Sequence, residues 1–311
     1  MQPVAQSTAL TPPATPLARR APLAQGARRV RAMGASLPPT GLLLTSMLIM
    51  QIGSATAKHL FVAVGTSGAV FLRAGFGAAV LLALWRPNLR AMTRTQWGVA
   101  ALFGLIVAVM NSVFYAALAR LPLGVAVTVE FLGPLAVAVL GSRRRLDLLW
   151  VALAASGVAL FAPWGGQRLD PVGLLFALAA GVFWALYILI GARLGRAFSG
   201  GGGLAVALTV AALALAPIGI SAAGTDLARP NVLLLGAVVG LCSAVIPFSL
   251  EVAALRRMPP HVFGIFMSLE PAVATLTGLL ALRELLGWRS IVAIALVTAA
   301  SVGASRAGRA R

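Results

Sequence analysis

Charged side chains inside long apolar stretches are the residues of this sequence that could bind a ligand. Lys58, Arg73 and Glu130 each lie about 8–11 Å from one end of an apolar segment, at about 1.5 Å per helical residue. Asn111 and Tyr115 lie at a similar depth in another segment. A cationic side chain binds a carboxylate, and a carboxylate binds an ammonium group. These residues therefore predict a substrate site for a zwitterion. A small polar side chain of the substrate would form hydrogen bonds with the Asn111 amide and the Tyr115 phenol.

A structural role for the same residues stays open. Glu130 could pair with Arg73 or Lys58 only to join helices, although buried pairs contribute little net stability. Arg73 could instead extend to the membrane surface. Trp184 and Tyr187 could line the inner part of the cavity or belong to an interfacial band of aromatic side chains.

Two further carboxylates and two prolines lie in apolar segments. Glu270 precedes Pro271 in mid-segment, and Pro134 occupies the corresponding place in an earlier segment. Proline removes a backbone hydrogen bond and bends a helix, so we expect kinks at both prolines. Glu270 is a candidate for proton coupling, or else a packed polar group. Glu251 is a candidate inner gate or proton site, or else lies at a solvated helix end.

The composition excludes a soluble globular enzyme and a disordered chain. Of 311 residues 60% are hydrophobic and 10% charged, against roughly 25% charged in soluble domains, and mean hydropathy is +0.96. Cys242 is the only cysteine and there are two histidines, so we expect no intrachain disulfide, no metal site and no cofactor. We find no nucleophile–base constellation and no phosphate-binding loop, and therefore expect a protein that is not an enzyme.

The elements that must position these residues are predicted to be membrane helices. Ten apolar segments are long enough to span a bilayer, and they indicate an all-α membrane protein with ten transmembrane helices. Residues 1–40 are predicted to be a disordered, basic cytoplasmic tail, and residues 307–311 a cytoplasmic C-terminal tail. The ten predicted segments are 42–64, 68–85, 97–119, 123–141, 148–164, 171–192, 203–223, 232–255, 261–282 and 288–306.

An internal repeat divides these segments into halves of five, 41–166 and 167–306. A shift of 137 residues places Arg120-Leu121-Pro122 on Arg257-Met258-Pro259 and Pro134 on Pro271. Because five is odd, the second half enters the membrane in the opposite orientation. Inverted repeats are typical of transporters that work by alternating access to a central site.

The distribution of basic residues predicts the orientation. If the tail is cytoplasmic, eighteen of the 25 Lys and Arg residues lie on the inner side, five on the outer side and two within segments. Such a bias places both termini in the cytoplasm. The same bias explains the net charge of +18, so binding to nucleic acid is not needed to explain it. The expected partners of these basic residues are anionic lipids.

The sequence resembles the EamA-type members of the drug/metabolite transporter superfamily. Glu270-Pro271, Gly278 and the turn at Arg283-Glu284 resemble the family's Glu-Pro helix and its Gly-Glu turn, with Arg283 where glycine is common. Within this family, the sequence most resembles the inner-membrane threonine/homoserine exporters. It is carried by residues 57–58, 60–61, 72–73, 110–111, 114–115, 122–127, 130–131, 133–138, 142–144, 147, 184–185, 187–189, 247, 249–251, 267–268 and 270–272.

The resemblance implies a bacterial inner-membrane exporter of threonine, homoserine and related small amino acids, with proton antiport as the usual assumption. The residues themselves agree with a zwitterion and do not name it. A different metabolite or a cationic drug is the alternative, although two cations in the outer layer argue against a cation-only site. The protein is expected to be a monomer or a homodimer, since the spacing of Gly236 and Gly240 fits a dimer face or packing within the chain.

Overall fold

A computed structural model describes residues 37–140, 145–160, 169–198, 201–255, 257 and 266–307. The predicted tails at 1–40 and 307–311 fall almost entirely outside these residues, as do parts of the predicted segments 148–164 and 261–282. Within the described ranges all regular structure is helical. The α-helices are α1 (Pro39–Trp85), α2 (Arg94–Leu118), α3 (Leu123–Glu130), α4 (Leu132–Leu140), α5 (Arg145–Ala159), α6 (Pro171–Ala197), α7 (Gly202–Ala223), α8 (Pro230–Gly240), α9 (Ile246–Leu255), α10 (Glu270–Ala281) and α11 (Trp288–Ala307).

Five helical stretches are long and apolar enough to cross a membrane among the residues described. They are Pro39–Trp85, Arg94–Leu118, Pro171–Ala197, Gly202–Ala228 and Pro230–Glu251, and shorter apolar helices cover Leu123–Val137 and Trp288–Ala300. The protein is therefore a multi-pass membrane protein. Every predicted segment falls at least partly on helical residues, but the count of ten spans stays a prediction.

The first two predicted segments are joined differently from our expectation. Instead of a loop at 65–67, helix α1 continues through a single break at Gly65, which has φ 65°. Only glycine adopts this left-handed conformation without a steric penalty. The break divides α1 into a first leg (39–64) and a second leg (66–85).

Helix interruptions lie beside both of the prolines predicted to cause kinks. The segment 123–141 is divided at Phe131, three residues before Pro134. Residues Ser268 and Leu269 form a turn before α10, which has Pro271 in its first turn. Because proline lacks an N–H and clashes with the preceding turn, a helix readily breaks just before it.

Short connections and contacts join the helix ends in two groups, which lie at opposite ends of the second leg of α1. We call the Gly65 face the one that holds Gly65 and the ends of helices at Leu118, Leu123, Pro171, Ala223, Pro230 and Ala281. The Trp85 face is the opposite one, with the ends at Trp85, Arg94, Ala197 and Gly202. Two helix starts carry side-chain caps: Asp170 accepts from the Val172 N–H, and Thr93 forms a capping box with Gln96.

Glycines let helices from different parts of the chain approach closely. Helix α1 packs on α7 and α8, α2 on α6 and α7, α3 on α10, and α5 on α11. A Cβ atom at Gly236 or Gly240 would lie within 3.0 Å of Leu72 or Phe76 of the same chain. The glycine pair therefore serves packing within the chain in this structure, one of the two uses that its spacing allows.

Candidate functional site

A cavity of about 480 Å³ lies between α1, α2, α3, α4, α6, α7, α9 and α10. Seven residues that the sequence singles out for substrate or proton lie on its wall, together with Pro134. They are Arg73, Asn111, Glu130, Trp184, Tyr187, Glu251 and Glu270. Gln51, Ser54, Ser243 and Ser268 add polar groups that the sequence does not single out.

Arg73 is held against the wall by two acceptors. Its Nη1 atom donates to Asn111 Oδ1, and its Nη2 atom donates to the Ser243 carbonyl oxygen at 2.7 Å. The guanidinium carbon also lies 5.7 Å from the centre of the Tyr115 ring. Its Nε atom is buried without a partner. Arg73 is thus turned into the protein and does not extend to the membrane surface.

The Ser243 carbonyl belongs to a π-helical turn, Leu241–Val245, between α8 and α9. Such turns widen a helix locally and recur at functional sites. One signal in the sequence could have indicated this contact: Pro247, four residues later, has no N–H to donate to the Ser243 carbonyl. Asn111 is also held in place, since its Nδ2 atom donates to the Val107 carbonyl at 2.8 Å.

Glu130 lies at the end of α3, where the helix is interrupted. Its side chain is 8% exposed, and within the described part of the chain it forms no ion pair. Close contact between Gly133 of α4 and Gly181 of α6 brings the two helices together here. The Trp184 ring packs edge-on against Phe131, with centres 5.4 Å apart. The helix break and the aromatic contact fix Glu130 at the cavity wall.

Glu270 is the first residue of α10 and is 6% exposed. Gln51, on the first leg of α1, donates from Nε2 to Glu270 Oε1 at 3.4 Å. The remaining oxygens, Gln51 Oε1 and Glu270 Oε2, are buried and have no hydrogen-bond partner. A glutamine in an apolar helix is a weaker sequence signal than a charge, so the sequence did not predict Gln51 as a site residue.

Glu251 and Tyr187 lie nearer the Trp85 face. The Ser46 hydroxyl donates to Glu251 Oε1 at 2.9 Å, which joins the first leg of α1 to α9. The Tyr187 ring packs against Phe103 of α2, with centres 4.8 Å apart. Both side chains therefore contact the protein interior as well as the cavity.

Lys58 and Tyr115 do not line the cavity. Lys58 donates to Glu284 Oε1 at 2.5 Å and to the Leu121 carbonyl at 3.0 Å, while Glu284 Oε2 accepts from the Leu123 N–H at 2.7 Å. The adjacent position of Arg283 suggests a local ion pair with Glu284, but Glu284 pairs with Lys58 instead. Tyr115, 1% exposed, packs on Phe61 behind Arg73.

Arg283 itself adopts φ 55°, a conformation that favours glycine. This explains why glycine is common before the glutamate in the turn that the sequence resembles. The turn places the Glu284 carboxylate under the start of α3, where it caps a free N–H.

The cavity combines one cation with three carboxylates among the described residues of its wall. Arg73 has an unpartnered donor, and Gln51 and Glu270 have unpartnered acceptors. Such a wall can bind a small molecule that carries both a negative and a positive group. No group of three or more metal-ligating side chains occurs within the described ranges.

Comparisons with known proteins agree with this architecture. Residues 171–306 match the EamA-like transporter family. The chain is 40% identical over 269 residues to the threonine/homoserine exporter RhtA of Salmonella typhimurium, covering 86% of this chain and 91% of that protein. It is 39% identical to the exporter of the same name in Escherichia coli K12, with the same coverage.

More distant proteins are also similar to this chain. The uncharacterized transporter YwfM of Bacillus subtilis is 27% identical over 230 residues, covering 71% of this chain and 77% of that one. A protein of known crystal structure superposes with a TM-score of 0.61 at 21% identity, over 87% of this chain and 97% of its own. At that identity the likeness concerns the fold. With 40% identity over nearly the whole length of an exporter, this chain belongs to the EamA-like transporters of the drug/metabolite transporter superfamily.

Proposed function

We propose that this protein exports small neutral amino acids of the threonine and homoserine type from the cytoplasm. The observation that carries the proposal is a cavity that presents Arg73 and Glu130 together inside a membrane protein. The 40% identity to exporters named for threonine and homoserine supports the same substrate class. The chain acts as a secondary transporter in the bacterial inner membrane, by alternating access, and not as an enzyme.

Within the cavity, Arg73 binds the substrate carboxylate and Glu130 binds its ammonium group. Arginine suits a carboxylate because its planar fork donates two parallel hydrogen bonds. Trp184 and Tyr187 form the aromatic wall beside this pair. Lys58 and Tyr115 do not line the cavity. They support the site through their contacts with Glu284 and Arg73. Glu251 and Glu270 are the candidates for proton coupling, because both are carboxylates in contact with the cavity at membrane depth.

The architecture proposed for this function has ten spans in two inverted halves. In this arrangement predicted spans one to five correspond to spans six to ten. The packing of α2 on α6 then corresponds to that of α9 on the first leg of α1, where Ser46 bonds to Glu251. The pairs of α3 with α10 and of α5 with α11 each correspond to themselves. Such exchange of partners is the property expected of a pseudo-two-fold axis.

Glycine contacts support the same symmetry at residue level. Gly104 of α2 lies against Ala207 and Val210 of α7, which are three residues apart. Gly240 of α8 lies against Arg73 and Phe76 of α1, also three residues apart. Equivalent helices thus cross at glycines that lie one residue from equivalent positions of the repeat.

The test is efflux of labelled threonine from proteoliposomes, with and without an imposed proton gradient. We expect efflux in the wild type and its loss in Glu130→Gln, because the neutral amide cannot balance the ammonium charge. Asp226 pairs with Arg229 at 2.8 Å near the Gly65 face, so Asp226→Asn is a matched charge-removing control outside the cavity. Folded wild-type protein that moves no threonine or homoserine would refute the proposed substrate class.

Export of another small metabolite or of a cationic drug is the second candidate. One observation favours a cation: three carboxylates face one guanidinium across the described cavity wall. A lipophilic cation would need the carboxylates and not Arg73. Transport of such a cation that survives Arg73→Ala, in protein that does not transport threonine, would select this alternative.

A further inference from the structure

Two buried acceptor oxygens in the cavity have no role in binding the zwitterion. Gln51 Oε1 and Glu270 Oε2 lack any hydrogen-bond partner, although Gln51 is 1% exposed and Glu270 is 6% exposed. A buried polar atom without a partner costs about 1–3 kcal/mol, so sites of this kind normally receive a donor. Both side chains line the same cavity as Arg73. A donor group of the ligand is therefore the missing partner.

The contact between the two side chains fixes which atom of Gln51 faces the ligand. Because Nε2 donates to Glu270 Oε1, the amide is oriented and its oxygen is left free. While it is ionised, the Glu270 carboxylate can only accept from this amide, so it selects the orientation in which Nε2 points toward it. Glu270 is thus a positioning residue for Gln51, and Gln51 Oε1 is the acceptor that remains.

The position of the pair distinguishes it from the zwitterion site. At about 1.5 Å per residue, the α-carbons of Gln51 and Glu270 lie about 17–20 Å from the Gly65 face, while those of Arg73 and Glu130 lie about 11–12 Å from it. The carboxylate and ammonium groups of an α-amino acid share one carbon, so both bind at one level. Since Arg73 and Glu130 already supply the charges for these two groups, the neutral oxygen of Gln51 is left for the side chain of the substrate.

The two residues that the sequence assigned to the substrate side chain are less available than Gln51. Asn111 accepts from Arg73 and donates to Val107, and the Tyr115 hydroxyl lies outside the cavity wall. We infer that Gln51 Oε1 accepts a hydrogen bond from the side-chain hydroxyl of the substrate, so that the cavity selects hydroxylated amino acids over apolar amino acids of the same shape. This inference rests on the proposed function and adds a specificity-determining residue to it.

Threonine and valine are the pair of substrates that tests the inference, since they differ by a hydroxyl and a methyl group. A site that hydrogen-bonds a hydroxyl strongly rejects the analogue without it, because its own polar group stays unpaired. We expect wild-type efflux to favour threonine over valine at least about tenfold. Gln51→Met keeps the length of the side chain and removes the acceptor. It should lower the threonine-to-valine ratio about tenfold, with valine efflux kept or raised.

Thr56→Val is the matched control, because Thr56 lies on the same helix outside the cavity wall and bonds only to its own helix. It should leave the ratio unchanged. Homoserine and norvaline form a second pair with and without a hydroxyl. Their efflux ratio should show the same preference in the wild type and the same loss in Gln51→Met. An unchanged ratio, or an equal loss of both substrates, would overturn the inference and leave amino-acid export standing. If Gln51→Met does not fold, a wild type without preference for threonine overturns it. No efflux of either amino acid would refute the proposed function as well.

Discussion

Arg73 is the only cation on the described part of the cavity wall, and its contacts make it irreplaceable by lysine. The guanidinium donates to Asn111 and to the Ser243 carbonyl through two different nitrogen atoms. An ammonium group on a thinner stem cannot hold both acceptors and still present a fork to a carboxylate. A positive charge alone is therefore insufficient at this position to replace the contacts of Arg73.

Arg73→Lys should accordingly weaken threonine transport. Loss of one charged hydrogen bond costs about 1.5–3 kcal/mol, which is roughly a tenfold to hundredfold rise in the threonine concentration at half-maximal rate. Initial efflux rates over a range of threonine concentrations measure this. Arg120→Lys is the control, since Arg120 pairs with Asp170 at the exposed Gly65 face. Equal kinetics for the two variants would contradict the role of Arg73.

Residue types predicted part of the site. Because burying charge is costly, Arg73, Glu130 and Glu270 stood out in the sequence, and all three line the cavity. It also selected Lys58, whose partner Glu284 is 226 residues away and could not be foreseen from local spacing. Gln51 and the Ser243 carbonyl were missed because an uncharged amide and a backbone group give little signal. Whether a polar residue faces a cavity or another helix depends on helix rotation, which follows from long-range packing.

At the scale of helices, Gly181 controls the approach of α6 to α4. A Cβ atom there would lie 2.8 Å from the Glu130 carbonyl oxygen. Gly181→Ala should therefore push the helices apart and lower the free energy of unfolding by about 1–3 kcal/mol. Thermal unfolding in detergent measures the change.

Gly195→Ala on the same helix is the matched control, because no atom lies within 4 Å of its added Cβ. Alanine is the better helix former, so this variant should be neutral or stabilised by up to about 1 kcal/mol. If both substitutions lowered the unfolding temperature equally, the close approach of the helices would not explain the effect at Gly181.

The Lys58–Glu284 pair joins three elements: the first leg of α1, the turn after α10 and the start of α3. The side chains are only 20% and 17% exposed. Lys58→Met leaves Glu284 without its cation and should lower the free energy of unfolding by about 1–3 kcal/mol. Arg120→Met breaks an ion pair whose side chains are 48% and 32% exposed, and should cost about 1 kcal/mol or less. A larger loss in Arg120→Met would contradict this ranking.

For the whole molecule, the sequence predicted helices well and their interruptions poorly. Apolar length located helical segments because every backbone group in a membrane must be satisfied within a helix. The proximity of Pro134 and Pro271 to the breaks at Phe131 and Ser268 follows from proline chemistry. The π-turn at Leu241–Val245 contains no proline, but Pro247 follows it and leaves the Ser243 carbonyl without its usual helical donor.

The orientation of the molecule can be tested with single cysteines in a Cys242→Ala background. Thr225 is exposed at the Gly65 face and Asn88 is exposed at the Trp85 face. We expect a membrane-impermeant thiol reagent to label Thr225→Cys in intact cells. Asn88→Cys should be labelled only after the membrane is permeabilised, because the bias of basic residues places that face in the cytoplasm. The reverse labelling pattern would contradict the proposed topology.

The pairing of Lys58 with Glu284 has a consequence for biogenesis. The ribosome makes Lys58 more than two hundred residues before its partner. Until the turn after α10 is synthesised, the ammonium group lies within an apolar segment without Glu284, and charge within such a segment opposes insertion. The early helices therefore reach their final packing only when the last ones arrive. A nascent chain released before residue 284 would expose this charge to membrane quality control.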